Sequence, residues 1–259
     1  MCLLFIAYNC TPRHRFVIAA NRDEFHNRPT APLGYRDAEK TILGGKDLQA
    51  GGMWLGVSRS GKFAALTNYR DGNPGETDQP SRGEIVYDYL RCQDSALNAM
   101  EDLAKKGKNY AGFNVLFGES TNLVYYSNKQ GKVKILKPGF YGLSNHLLDT
   151  PWPKLTRGKE LLMAQMCSDK SIDSAAITKL LHDENVPADD LLPDTGVGLA
   201  LEKFLSPLFI DGEEYGTRSS AVVEIAQLGD VIFTETSYIH DSGGKQTQSL
   251  VRMGFDLED

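Results

Sequence analysis

The sequence begins Met1-Cys2-Leu3-Leu4-Phe5-Ile6-Ala7-Tyr8, an apolar run that predicts a buried β-strand. Cys2 stands directly behind Met1, and cytosolic aminopeptidases generally remove Met when the next residue is small. After that removal Cys2 would carry both a thiol nucleophile and a free α-amino group with a pKa of about 8. A nucleophile and a base on one residue suit catalysis through a covalent intermediate. The alternative is that Cys2 is an inert, buried apolar residue.

Length, charge and cysteine content bound the class of protein. The 259 residues suit one large domain, and we expect a single domain over residues 1–259. The net charge of −6 is scattered, which argues against nucleic acid or an anionic membrane as the partner. No apolar run reaches the roughly 20 residues of a transmembrane segment, and the first run is too short for a signal peptide. Four cysteines without a CxxC pair predict a reducing, cytoplasmic location.

The first third of the chain predicts strands around a long loop. Residues 2–8 and 14–20 are expected to form two short strands, followed by a functional loop over residues 21–52. Residues 53–59 and 62–68 predict a hairpin.

The remainder alternates groups of helices with groups of strands. Ser81-Arg82-Gly83-Glu84 has the spacing of a capping box, so a helix is expected to begin there. Further helices are predicted near 95–106, 153–167, 172–182 and 203–209, and further strands at 113–117, 123–127, 133–136, 219–226, 231–236 and 250–253. Grouped runs of this kind favour an α+β fold with antiparallel sheets. A four-layer αββα sandwich, with helix pairs outside two sheets, fits this order.

Polar residues follow the second predicted strand as Asn21-Arg22-Asp23-Glu24. If the first two strands are neighbours, the end of the second lies beside the start of the first. Asp23 would then lie near Cys2, where a carboxylate can hold the α-ammonium group or orient the thiol. The alternative is a solvated turn capped by Asp23.

Three later residues are candidates for the same site. Asn68 ends a predicted strand, and Asn145 lies in Ser144-Asn145-His146. Asn side chains at such positions can donate N–H groups to an oxyanion, although each also suits a turn. Arg218 precedes a late apolar strand and can bind an anionic group, or can be a strand-edge charge.

The sequence contains neither a phosphate-binding glycine loop nor an HExxH zinc motif. His26 and His146 each flank a candidate segment and are candidate ligands or bases. The other histidines are expected at the surface.

An ordered set of short motifs carries a family resemblance. The set comprises Met1-Cys2, Ala19-Ala20-Asn21-Arg22-Asp23-Glu24-Phe25, Gly51-Gly52-Met53-Trp54-Leu55-Gly56, Ala65-Leu66-Thr67-Asn68-Tyr69, Gly112-Phe113-Asn114, Tyr141-Gly142-Leu143-Ser144-Asn145, Thr150-Pro151-Trp152 and Tyr215-Gly216-Thr217-Arg218. Together these motifs resemble the NRDE family, also called the transport and Golgi organisation family. They run from residue 1 to about residue 220, in order.

The family is similar in fold to the N-terminal-nucleophile hydrolases, especially the Cys branch with penicillin V acylase and bile salt hydrolase. The resemblance implies that Cys2 is the nucleophile and Asp23 its carboxylate. It also matches Asn145 to the oxyanion-hole Asn, Asn68 to a second Asn and Arg218 to the late Arg of the site.

One position departs from the hydrolase motif, which has Arg directly before the Asn that Asn21 matches. Here that position is Ala20. Arg22 follows Asn21 instead, and we expect it to point elsewhere on an extended chain. The departure bears on hydrolase activity more than on the fold.

The family is associated with intracellular haem trafficking, so the resemblance implies a chaperone that binds haem, or another small apolar ligand, and passes it to acceptor proteins. Cys2, His26 and His146 are then candidate axial ligands, and Arg22, Arg28 or Arg218 candidate partners of the propionates. The alternative is a Cys2-dependent amidohydrolase or acyltransferase acting on an amide or thioester, which requires no cofactor. A scaffold without chemistry is a third hypothesis.

Overall fold

The computed structural model describes residues 2–72, 79–168, 170–240 and 246–257, leaving aside the side chains of Cys2, His240, Gln246 and Thr247. Two antiparallel sheets pack face to face, and helices cover the outer face of each. The predicted α+β architecture, a four-layer αββα sandwich, is therefore confirmed.

The first sheet contains six strands in the order β10-β1-β2-β11-β12-β13. Their bounds are β1 Cys2–Tyr8, β2 His14–Phe25, β10 Gly139–Leu143, β11 Tyr215–Ala226, β12 Asp230–His240 and β13 Gln246–Asp256. β1 lies between β2, which pairs with Cys2–Tyr8, and β10, which pairs with residues 4–8.

The second sheet contains seven strands that follow one another in chain order. Their bounds are β3 Thr30–Tyr35, β4 Ile42–Asp47, β5 Leu55–Ser58, β6 Phe63–Asn68, β7 Phe113–Gly118, β8 Leu123–Ser127 and β9 Lys132–Leu136. The hairpin predicted over residues 53–68 is confirmed as β5 and β6.

Helices α1 (Gly83–Arg91) and α2 (Ala96–Lys106) cover the second sheet, and α3 (Pro153–Met166) and α4 (Ser174–Leu181) cover the first. A short helix, α5, spans Leu199–Phe204. None of the helices in the described ranges is long and apolar enough to cross a membrane.

β1 is apolar on both faces because both faces are covered. Leu4 and Ile6 belong to the core between the sheets, whereas Leu3 and Phe5 belong to the core under α3 and α4. Side chains alternate along a strand, so a strand buried on two sides has no polar face. This explains the uninterrupted apolar run at residues 3–7.

The prediction of a long loop over residues 21–52 is wrong. β2 continues to Phe25, and the segment that follows contains two further strands, β3 and β4. The polar residues of β2 remain in the strand because tertiary partners satisfy them. Gly44 and Gly45, which suggested a loop, lie in β4 where a Cβ atom would overlap the side chains of Met53 and Trp54.

Three smaller predictions also need correction. The capping box does not form: α1 begins at Gly83, and Ser81 Oγ accepts from the Gly83 amide at 3.3 Å. The helix expected at 203–209 is α5, several residues earlier. β10 was not predicted, because its glycines and aromatic residues resemble a turn. The helix predicted near 95–106, by contrast, is present as α2, and Ser95 caps it by accepting from the Asn98 amide at 3.2 Å.

Gly158 in α3 provides a test of how β1 is covered. An added Cβ would overlap the ring of Phe5, which is fully buried in β1. Gly158→Ala should therefore lower the free energy of unfolding by about 1–3 kcal/mol through overpacking, although Ala normally stabilises a helix interior by about 1 kcal/mol. Urea denaturation followed by circular dichroism measures the difference.

Ala164→Gly, at an exposed position of the same helix, is the control and should cost only about 1 kcal/mol of helix propensity. A Gly158→Ala protein that is more stable than wild type would show that α3 does not rest on Phe5.

Candidate functional site

Strand register places the backbone of Cys2 opposite one of the predicted site segments. In the β1–β2 ladder Cys2 is opposite Arg22. In the β1–β10 ladder Leu4 is opposite Leu143, the last residue of β10, and Asn145 follows two residues later. Met1 and the Cys2 side chain lie outside the described residues, so removal of Met1 stays a prediction.

Asp23 is a buried carboxylate in β2, one residue beyond the position opposite Cys2. The Thr217 hydroxyl of β11 donates to Asp23 Oδ1 at 2.8 Å and accepts from the Ile210 amide at 2.9 Å. Burial raises the pKa of Asp23, while positive charges, including those of Lys154 and Arg22, oppose the rise. Asp23 is thus a carboxyl group held in place, with an increased affinity for a proton.

Asn21 has a structural role. Its amide nitrogen donates to the carbonyl oxygens of Leu181 at 2.9 Å and Leu208 at 2.8 Å, and its Oδ1 accepts from the Ser220 hydroxyl at 2.6 Å. These bonds tie β2 to the chain that follows α4. They also make it possible for an amide to lie in a fully buried strand.

The expectation that the Arg22 side chain points away from the position of the hydrolase Arg is wrong. Ala20 faces the core between the sheets, and Arg22, two residues later in the same strand, also points there. Its guanidinium carbon lies 4.4 Å from the centre of the Trp54 ring. Arg22 is buried, and its Nη1 has no hydrogen-bond partner within the described ranges. Arg22 therefore provides a cation on the face where the hydrolase motif has its Arg.

Asn145 and Asn68 meet across the ends of the two sheets. Asn145 is fully buried, and its Nδ2 donates to the main-chain carbonyl of Asn68 at 3.0 Å. One N–H of Asn145 is committed by this bond. The backbone of Asn68, rather than its side chain, makes the contact, and the Asn68 side chain is half-buried.

A buried polar network fixes the segment that contains Asn145. Thr67 Oγ1 donates to the Ser144 carbonyl at 2.7 Å, and Asn114 Nδ2 donates to Thr67 Oγ1 at 3.2 Å and to the His146 carbonyl at 3.0 Å. The Tyr125 hydroxyl in turn donates to Asn114 Oδ1 at 2.9 Å. Because these donors belong to the second sheet, they attach the chain beyond β10 to it.

Arg218 mainly anchors a neighbouring turn. It lies at a bulge within β11, not at the start of the strand. Its Nη1 donates to the carbonyl oxygens of Phe25 at 2.8 Å, His26 at 3.1 Å and Arg28 at 3.2 Å. Burial and the charge of Arg22 lower the pKa of Arg218. One nitrogen of its guanidinium is therefore already occupied by the protein.

Both histidines that flank the candidate segments make hydrogen bonds. His26 Nε2 donates to the Gly212 carbonyl at 2.8 Å. His146 Nδ1 is 2.9 Å from Thr150 Oγ1, and its ring lies near Tyr69 and Trp152. Burial, and then the charge of Arg70, lower the pKa of His146. Across the described chain, no three His, Cys, Asp or Glu side chains are grouped to hold a metal ion.

Sequence reasoning missed a buried group of charges beside Asp23. Lys154, at the start of α3, donates from Nζ to the Leu205 carbonyl at 2.9 Å. Arg70 Nη2 forms a 2.8 Å ion pair with Glu202 Oε2, and both side chains are buried. Lys154 lies in the segment after Trp152, but no local pattern predicts that a lysine in the first turn of a helix will be buried.

Burial lowers the pKa of Lys154 from 10.5 to about 8, with Asp23 opposing the shift. Between pH 8 and pH 10.5 the Lys154 amine keeps its proton in the unfolded chain but has released it in the folded chain. The unfolded state therefore binds more protons, and this residue makes the free energy of unfolding rise with pH.

Replacing Lys154 by Met should remove this dependence. The stability of wild type relative to Lys154→Met should increase by about 1–3 kcal/mol between pH 8 and pH 10.5. Urea denaturation at a series of pH values measures this difference in the free energy of unfolding, and Lys105→Met at an exposed position is the control. A difference that stays constant over this range would mean that Lys154 has an ordinary pKa.

Solved structures share the fold. A Caenorhabditis elegans N-acylethanolamine-hydrolyzing acid amidase ortholog is 12% identical, with a TM-score of 0.52, over 85% of this chain and 92% of that one. The mutant C2A conjugated bile acid hydrolase from Clostridium perfringens is 11% identical, with a TM-score of 0.51, over 98% and 92%. At this identity the likeness concerns the fold, which agrees with the predicted N-terminal-nucleophile hydrolase-like architecture.

Sequence relatives are much closer. The Mus musculus Transport and Golgi organization 2 homolog is 33% identical over 259 residues, covering 92% of this chain and 94% of that protein. The Homo sapiens homolog is 31% identical over 257 residues, covering 92% and 93%. The family model described as Transport and Golgi organisation 2 matches residues 1–240. The chain therefore belongs to the Transport and Golgi organisation 2 family, as the ordered motifs predict.

Proposed function

We propose that this protein is a Cys2-dependent amidohydrolase or acyltransferase. The observation that carries the proposal is the register that puts the Cys2 backbone opposite Arg22, one residue from the buried Asp23, in a strand whose other neighbour, β10, leads to Asn145. We expect a carboxylate, an amide donor and a cation near the start of β1, with Arg22 on the face between the sheets and Asp23 on the opposite face. The cysteine usage of the sequence favours the cytoplasm as the location.

The reaction begins with transfer of the Cys2 thiol proton to its own α-amino group. The thiolate attacks the carbonyl carbon of an amide or thioester, and Asn145 with Asn68 stabilises the oxyanion. The carbon–nitrogen or carbon–sulfur bond then breaks, and the α-ammonium group returns its proton to the leaving group. Water or another acceptor attacks the acyl-Cys2 thioester, releasing the product and restoring the thiol.

Asp23 contributes through its position. A carboxylate near the α-amino group stabilises the ammonium form that appears when the thiolate attacks. Thr217 holds that carboxylate by a 2.8 Å hydrogen bond, which limits its movement. The names of the two structural neighbours, an amidase and a conjugated bile acid hydrolase, support an amide as the substrate class.

Intact-mass spectrometry tests the chemistry. Purified protein should lack Met1 and, when treated with an activated acyl ester or acyl thioester, should gain one acyl group on Cys2. Cys2→Ala should not gain it, whereas Cys92→Ala should behave as wild type. Asn145→Ala should slow acylation by about 100-fold, as expected for the loss of one oxyanion donor.

Retention of Met1, or equal acylation of Cys2→Ala and wild type, would contradict the mechanism. Asn145→Asp preserves the size of the side chain but removes the amide donor. It separates a catalytic loss from a folding defect when its unfolding transition matches that of wild type.

We also propose haem as an alternative ligand, supported by Arg22. A buried guanidinium over the Trp54 ring, with Nη1 lacking a partner in the described chain, suits the propionate and the planar macrocycle of haem. Haem would be cargo here, transferred to acceptor proteins. Titration of the protein with haem should shift the Soret band, and Arg22→Gln should weaken binding about ten-fold, the loss of one charge-assisted pair. An unchanged spectrum, or no transfer to an apo-acceptor, excludes this role.

A further inference from the structure

Arg70 follows β6 and presents two buried nitrogen atoms without a protein partner. Nη2 pairs with Glu202, but neither Nε nor Nη1 has a hydrogen-bond partner in the part of the chain that the structure describes. The side chain is more than nine-tenths buried. An unsatisfied buried donor is costly to the fold, and a charged one more so. A site that retains such donors is suited to receive an acceptor.

The guanidinium is held rigidly. Its carbon lies 4.6 Å from the centre of the Trp152 ring, a cation–π contact that fixes one face. Glu202 is itself fixed, because its Oε1 accepts from the amide and hydroxyl of Thr195. These contacts hold the guanidinium in place, so binding an acceptor at its remaining donors would require little reordering.

Arg70 adjoins the proposed oxyanion residues. Its backbone N–H donates to the Asn145 carbonyl at 2.7 Å, and it lies two residues after Asn68, whose carbonyl accepts from Asn145. Lys154 and His146 are near enough for their protonated forms to be repelled by the Arg70 charge. The cationic group therefore belongs to the same end of the sandwich as Cys2.

We propose that Arg70 binds a carboxylate of the substrate through its unpaired guanidinium N–H groups, so that the site accepts small organic acids acylated elsewhere on the molecule. This inference rests on the proposed function, because it names the substrate class of that site. Arg70 is then a specificity-determining residue, distinct from the groups that act on the reacting carbonyl.

Charge favours a carboxylate over a phosphate. Arg70 already pairs with the buried carboxylate of Glu202, so any anion that it binds lies close to a negative charge. A carboxylate adds one negative charge there, opposite the free side of the guanidinium. A phosphate dianion adds two negative charges, which increases both the repulsion by Glu202 and the cost of burial.

Fluorescence of Trp152 provides the test, because this ring stacks on Arg70. The full-length protein is titrated with acetate, butyrate and inorganic phosphate, with chloride keeping the ionic strength constant. Acetate and butyrate should give a saturable change that phosphate does not give. Trp152→Phe should lose the signal but keep the rise in the unfolding temperature that a bound anion causes.

Arg70→Lys is the decisive variant, because Lys retains the charge opposite Glu202 and loses the planar set of donors. It should weaken acetate binding by about ten-fold. Arg91→Lys, at an exposed position on α1, should bind acetate as wild type does. Circular dichroism of each variant checks that the fold is intact.

Equal acetate affinity in wild type and Arg70→Lys would overturn the proposal. A Trp152 fluorescence change that does not saturate with acetate would also overturn it, because it would show that no specific acetate site exists. Tighter binding of phosphate than of acetate would overturn the carboxylate assignment. Acetate binding by Cys2→Ala should match wild type, since no acyl transfer is involved. Failure of acylation at Cys2 with intact acetate binding would therefore refute the proposed function alone.

Discussion

The pairing of β1 with β2 on one side and β10 on the other is the constraint on which the candidate site depends. It aligns Cys2 with Arg22 on one side and Leu4 with Leu143, the end of β10, on the other. Backbone hydrogen bonds fix this alignment residue by residue, and a slip of one position would reverse every side chain between the two cores. Packing of Phe5 under Gly158 adds a steric limit to the same register.

Two polar residues of the buried strand β2 are tolerated because each has partners in distant segments. Asn21 bonds to the chain after α4 and to Ser220, and Asp23 bonds to Thr217. Loss of one partner would leave a desolvated polar group at a cost of roughly 1–3 kcal/mol. These bonds thus connect stability to the site: the same amide and carboxyl groups that stand next to Cys2 also join β2 to its neighbours.

Charge is concentrated at this end of the sandwich in two groups. Arg22 with Trp54 lies between the sheets, whereas Lys154, Asp23, Arg70 and Glu202 lie near α3 and α5. Burial disfavours each charge, and the opposite charges and hydrogen bonds offset that cost. Such a pre-arranged electrostatic environment suits a ligand with a carbonyl and an anionic group, and it is the common element of the proposals for the reaction and for Arg70.

Local pattern was sufficient to predict the αββα architecture, the apolar β1 and the hairpin of β5 and β6, because alternation and the order of elements are properties of neighbouring residues. The catalytic roles of Cys2, Asp23 and Asn145 stay predictions. Local pattern failed at residues 21–52, where Asn21 and Asp23 resemble a loop until their distant partners are known. Long-range contacts also decided the direction of Arg22, the anchoring role of Arg218 and the burial of Lys154 and Arg70. The physical reason is the same in each case: the cost of burying a polar group depends on partners that folding brings together from positions far apart in the chain.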